Sequence, residues 1–238
     1  MPPLSERRRA ILHEVESHVL TPDLIARSDQ CPRCRGVRGA GFSLCASCSS
    51  RNHLHSDDFL FFASCVAKES PFYASFKYYK MLSGTYGAPH MARLAATLSG
   101  GYEQHAPAIA TALGGAPTIV TAVPSTRGRT WDAQPLRTVL LAVGAVRDIA
   151  APCIEYTGVA RAPRTLQPGL FRTTRDVHGE RILLVEDLWA GGSTAETARE
   201  ELIDKGANTA VLSIGREIRP DFLTASELIA ALGRPTWW

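Results

Sequence analysis

Net charge, long apolar runs and low-complexity sequence are all scarce in this 238-residue chain. A formal charge of +3 is too small on its own to mark a nucleic-acid-binding protein. The uncharged stretch from Ile109 to Thr126 is divided by Gly114-Gly115 and two prolines into a helix end, a turn and a strand, so no membrane span is expected. No secretory apolar core is evident. Glu6, Glu14 and Glu16 interrupt the basic residues that a transit peptide would need. Internal repeats and biased tracts are absent. These absences lead to an expectation of a cytoplasmic, folded protein with no membrane partner. The clusters Arg7-Arg8-Arg9 and Arg33, Arg35, Arg38 read as solvated surface.

What is present suits one good core plus a small stapled module, with 45% hydrophobic and 21% charged residues. Residues 4–20 read as an amphipathic helix, with Ile11, Leu12, Val15 and Val19 on one face and Thr21-Pro22 ending it. Strands are expected over Phe59–Val66, Thr118–Val123, Ala151–Tyr156, Ile182–Val185 and Thr209–Ile214. Helices are expected over Phe72–Leu82, Ala88–Leu98, Gln134–Val146 and Ser193–Lys205, the last ended by Gly206. Residues 157–180 hold two prolines, three glycines and five arginines or histidines without a clear period, as a functional or mobile loop would. Strands alternating with helices specify an α/β fold, a parallel sheet flanked by helices. The expected divisions are an amino-terminal helix (1–28), a four-cysteine module (29–56), the α/β domain (57–216) and a tail (217–238).

Four of the six cysteines form Cys31-x-x-Cys34 and Cys45-x-x-Cys48. Each pair supplies two thiolates from one tight turn, and two pairs close a tetrahedral zinc site, here a small knuckle. A disulfide framework is the competing reading. It sits poorly with a chain that looks cytosolic. His53 and His55 are reserve ligands or simply a solvated loop, and Cys65 and Cys153 read as small packed hydrophobes.

The most informative stretch runs from Arg181 to Ala195. The apolar Ile182–Val185 is followed by the adjacent acids Glu186 and Asp187, then Ala190-Gly191-Gly192, then Ser193 and Thr194 opening a helix. Acids at the carboxyl end of a parallel strand face the ligand edge of the sheet. A glycine turn before a helix lets backbone N–H groups approach an anion. A plain βα connection with an acidic helix start would give the same order. These residues resemble the type I phosphoribosyltransferases, in which two acids hold the ribose hydroxyls of phosphoribosyl pyrophosphate and the following loop wraps its 5′-phosphate. The resemblance assigns Glu186 and Asp187 to the ribose and Ala190, Gly191, Gly192, Ser193 and Thr194 to the phosphate. Ala190 and Gly191 stand where the family has threonines, and Ala190 cannot serve as the base that some members place there.

The cysteine module ahead of this domain narrows the resemblance to the ComF-type (competence-protein-F-like) amidophosphoribosyltransferase homologues. Their ordered motifs have counterparts in Phe72–Lys80, in Ala122-Val-Pro-Ser-Thr-Arg127-Gly-Arg129, and in Arg161-Ala-Pro-Arg164-Thr-Leu-Gln167. By resemblance, Arg127 and Arg129 belong to a pyrophosphate loop. Arg161, Arg164 and Gln167 form a hood that closes over the ligand, and magnesium rides on the substrate. The implied reaction displaces pyrophosphate from the anomeric carbon by a nitrogen nucleophile, with Arg127, Arg129 and Arg164 stabilising the leaving group. An acceptor pocket is expected near Trp131, Leu188 and Trp189. The competing class is a nucleotide- or single-stranded-DNA-binding protein acting in competence, with Phe72–Tyr79 as a stacking platform. The tryptophans at 237 and 238 suggest docking on the body or on a twin subunit.

Overall fold

The computed structural model describes residues 31–36, 38, 41–49, 59–68, 70–81, 84–162 and 165–218. The expected helix over 4–20, His53 and His55, Arg164 and residues 219–238 lie outside the described residues, whereas Glu217 and Ile218, expected to open the tail, end the last strand instead. Five strands form one parallel sheet: β1 (Leu60–Phe62), β2 (Cys65–Ala67), β3 (Ile119–Ala122), β6 (Arg181–Trp189) and β7 (Asn208–Ile218). Their order is β1-β7-β6-β3, with β2 continuing along β7 beyond β1. β4 (Ile154–Tyr156) and β5 (Phe171–Thr173) make a separate antiparallel pair. β5 thus lies inside the stretch expected to be loop.

The central strands form because their side chains are apolar on both sides. Ile182–Val185 and Ile119–Ala122 are buried throughout, as strands covered on two faces must be. The short α1 (Ala46–Ser49) carries Cys48 of the cysteine module. Leu183 and Val185 face a core shared with α2 (Pro71–Met81), α3 (Gly84–Leu113) and α4 (Pro135–Leu141). Ile182 and Leu184 face a second core shared with α6 (Ser193–Asp204), β4, β5 and the four cysteines.

Several boundaries differ from expectation for identifiable reasons. β6 does not stop at Val185, because β7 continues beside it and pairs Glu186 with Ser213, Leu188 with Gly215 and Trp189 with Arg216. The polar residues therefore have a ladder to join. The strand expected over Phe59–Val66 is two short strands around Ser64, whose hydroxyl donates to the Ile214 carbonyl at 2.6 Å. The helix expected over Ala88–Leu98 runs to Leu113, through Gly100-Gly101 and Pro107. Gly101 is needed there, since a Cβ at that position would come 2.2 Å from the Ala63 Cβ. The helix expected over Gln134–Val146 is divided into α4 and α5 (Gly144–Arg147). Gly206, at φ 85°, ends α6 in the left-handed conformation that favours glycine. Among the described residues, no helix is long and apolar enough to cross a membrane.

Candidate functional site

Parallel strands place all their carboxyl ends at one edge, so the segments after β3 and at the end of β6 meet there. Between them opens a cleft of about 250 Å³. Pro124, Ser125, Thr126, Arg127 and Arg129 line it from the turn after β3, and Glu186, Asp187 and Thr194 line it from β6 and the start of α6. Arg161 reaches it from the loop between β4 and β5. Gly128 at φ 71° makes the turn between the two arginines, and the Gln134 side-chain amide holds that turn by donating to the Val123 carbonyl at 2.6 Å. Arg127 is exposed at the rim, whereas Arg129 is half-buried.

The floor of the cleft contains a contribution that the spacing of motifs did not assign. Tyr79, from α2, is buried and donates its hydroxyl to Asp187 Oδ2 at 2.7 Å. Lys80, the next residue, forms an ion pair with the same oxygen. Both line the cleft. Asp187 is thereby committed to α2, while among the described residues Glu186 beside it has no such anchor. Burial, then the neighbouring Asp187 carboxylate, push the Glu186 carboxyl up to about 8, with Lys80 and Arg161 opposing. Burial and Asp187 likewise hold the Tyr79 phenol well above its ordinary range, so it remains a donor. The pair thus divides its labour: Asp187 is anchored to α2, while burial and its neighbour raise the Glu186 carboxyl.

The turn Ala190-Gly191-Gly192-Ser193 leads from β6 into α6, with Gly192 at φ 84° as the residue before the helix. Of the residues expected to cradle a phosphate, Ala190 to Thr194, only Thr194 lines the cleft. Trp189 lies beneath the turn. It is 2% exposed, packs edge-on to Phe62 with ring centroids 5.7 Å apart, and would meet a Cβ on Gly192 at 2.1 Å. Trp189 therefore lines no acceptor pocket. Leu188 also packs on the core. Trp131 does line an adjoining hollow, together with Arg129, Glu155 and Tyr156. Gln167 braces its own loop, accepting from the Ala162 N–H and donating to the Ala160 carbonyl, both at 2.7 Å. The aromatic segment on α2 is mostly core: Phe72, Phe76 and Tyr79 are buried, and Tyr78 alone is exposed.

No family model, curated protein or solved structure matches this chain.

The second arrangement is a cysteine cluster. The four Sγ atoms of Cys31, Cys34, Cys45 and Cys48 lie within 4.8 Å of one another, all from buried residues. None of the six cysteines is disulfide-bonded, which sets aside the disulfide reading. The separation fits a tetrahedral thiolate site, whose sulfur atoms stand about 3.8 Å apart when each is about 2.3 Å from zinc. A tight turn begins the module, with the Cys31 N–H donating to the Gly36 carbonyl at 2.7 Å and the Arg35 N–H to the Cys31 carbonyl at 2.9 Å. Hydrogen bonds from Cys31, Cys45 and Cys48 hold the Cys34 thiol well below its usual range, and the buried Arg216 adds to this. The four thiols could hold a structural metal ion such as zinc.

Proposed function

We propose that the cleft binds phosphoribosyl pyrophosphate with magnesium, in a protein of the type I phosphoribosyltransferase kind and of ComF-like organisation. The observation that carries this reading is the convergence of an acid pair with cations from separate segments. Glu186 and Asp187 share one cleft with Arg127, Arg129 and Arg161. Vicinal ribose hydroxyls need acceptors side by side, and a diphosphate needs several positive groups around it. Thr194, at the amino end of α6, adds the helix terminus where a 5′-phosphate is best accommodated.

The reaction that suits this arrangement breaks the C1–O bond to pyrophosphate and forms a C1–N bond to an incoming nitrogen. The bonding pair leaves with the diphosphate, and the nucleophile's lone pair makes the new bond. Arg127 and Arg129 would stabilise the charge on the departing diphosphate, where a loose transition state gains most from fixed positive groups. Asp187, fixed by Tyr79 and Lys80, would orient the ribose. Magnesium would ride on the diphosphate and ribose hydroxyls of the substrate and, when bound, would neutralise diphosphate charge. Titration calorimetry of magnesium phosphoribosyl pyrophosphate tests the reading. Binding by the wild type that is lost in a Glu186→Gln, Asp187→Asn double variant is expected. A folded wild type that binds nothing would end it.

A second reading, single-stranded nucleic acid binding, draws on exposed aromatic and apolar groups of α2 and α3. Tyr78, Met81 and Tyr86 are exposed, and the Lys77 ammonium stands 5.7 Å from the Tyr78 ring centre. Affinity for an oligonucleotide that falls steeply with salt and survives the double substitution would favour it.

A further inference from the structure

Arg216 stands near the end of β7, where its backbone pairs with Cys65 of β2 on one side and Trp189 of β6 on the other. Its side chain is buried, and its guanidinium donates in two directions. Nε donates to the Cys34 carbonyl at 2.7 Å, and Nη2 lies 3.4 Å from Cys34 Sγ. Nη1 donates to the Trp189 carbonyl at 2.9 Å, the Ala190 carbonyl at 3.2 Å and the Glu217 carbonyl at 2.7 Å. One planar group thus touches the metal-ligating turn along one edge and the strand-to-helix turn along the other, a span that the rigid fork of arginine allows.

The consequence for the turn follows from peptide geometry. In a trans peptide the C=O and the following N–H point in opposite directions, and the described residues hold no cis peptide. Fixing the Ala190 carbonyl on Arg216 therefore turns the Gly191 N–H away from the cysteine module. The Trp189 ring braces the same turn from beneath Gly192. A divalent ion held by four thiolates leaves the metal centre itself with negative charge, and the buried Arg216 is a cation set against it.

We propose that Arg216 is a positioning residue that couples the four-cysteine module to the phosphate turn, so that an intact metal site fixes the backbone conformation with which Ala190–Ser193 meets an anion. The ligand class, a sugar phosphate, rests on the function proposed above; the coupling itself does not. The metal module is then a support for the ligand site, and the two lose order together.

Two variants test this in the full chain. Arg216→Lys keeps the charge, but a single ammonium cannot span both edges. Gly36→Ala leaves Arg216 and the turn unsubstituted, yet its Cβ would fall 2.0 Å from Arg216 Nη2 and must displace the guanidinium. Hydrogen exchange by mass spectrometry, with zinc content measured alongside, reads the outcome. In zinc-loaded protein, amides of 190–192 are expected to exchange about tenfold faster in either variant, with Leu183–Val185 unchanged. Chelation of the wild type is expected to produce the same local rise. Affinity for magnesium phosphoribosyl pyrophosphate should fall about tenfold in step. Wild-type exchange at 190–192 in a zinc-loaded variant, with Gly36→Ala decisive if Arg216→Lys does not fold, would overturn the coupling. A wild type that binds no phosphoribosyl pyrophosphate would instead defeat the functional reading, while the exchange result still decides the coupling.

Discussion

Tyr79 and Lys80 take hold of Asp187 from successive positions of α2, which ties one carboxylate of the pair to the core and leaves the other to answer to pH. Removing the Tyr79 hydroxyl deletes a buried bond to a charged acceptor, a loss of about 2 kcal/mol. Tyr79→Phe is therefore expected to melt roughly 4–8 °C lower than the wild type, and to bind magnesium phosphoribosyl pyrophosphate more weakly, by less than Asp187→Asn does. Glu186 gives the pH dependence. Its folded value, about 8, lies above the ordinary 4.5, so the folded protein holds a proton that the unfolded chain has released. That contribution is complete below the ordinary value and is lost as pH rises towards 8. Between pH 5 and 8 the ceiling is about 4 kcal/mol, at about 1.4 kcal/mol per pH unit, and partial solvation lowers it. Glu186→Gln should remove this slope. Denaturant midpoints at pH 5.5 and 8 should show the variant gaining on the wild type as pH rises, and a constant difference would refute the assignment.

At the scale of elements, the turn between β6 and α6 depends on one glycine for two reasons. Gly192 has φ 84°, and a Cβ there would enter the Trp189 ring at 2.1 Å. Gly192→Ala combines left-handed strain of about 1 kcal/mol with overpacking of about 1–3 kcal/mol, so a loss of roughly 2–4 kcal/mol is expected in urea unfolding. The need for a small residue was legible in the sequence as an anion cradle; the Trp189 ring as its second cause was not. Along β6 the even residues 182 and 184 face one core and the odd residues 183 and 185 the other. The alternation changes phase after Asp187, because Leu188 packs with the odd set and Trp189 with the even. A period of two therefore misplaces Trp189. The acid pair and the arginines after β3 were legible, since strand ends in a parallel sheet bring them together whatever the details. The hold of Tyr79 and Lys80 on Asp187 was not legible, and Tyr79 read instead as part of a stacking platform, because an amphipathic helix discloses its buried face without disclosing that Asp187, 108 positions beyond Tyr79, lies against it. The length of α3 was hidden by Gly100-Gly101 and Pro107, residues that interrupt helices unless a close neighbour such as Ala63 favours them.

For the molecule as a whole, the sheet is covered on its two faces by different means. One face is closed by α2, α3 and α4, which bury a continuous set of large apolar side chains. The other relies on α6, the β4–β5 pair and four cysteines that pack with Phe62, Leu184 and Trp189. A metal ion at those thiols would tie together the two cysteine turns of the module. Its loss should therefore weaken one face and spare the helices of the other. Cys48→Ser removes one ligand with little change in volume. It is expected to hold less than one equivalent of zinc and to lose about 3 kcal/mol, the cost of leaving the buried Arg216 beside a broken thiolate set, or roughly 6–12 °C in melting temperature. Far-UV circular dichroism should stay close to that of the wild type at room temperature, because α2, α3 and α4 keep their own core. The same variant tests metal against packing. If added zinc raises the melting temperature of the wild type but not of Cys48→Ser, the cysteines stabilise through an ion. If zinc changes neither, the cluster contributes only as buried sulfur, and the second face stands by packing alone.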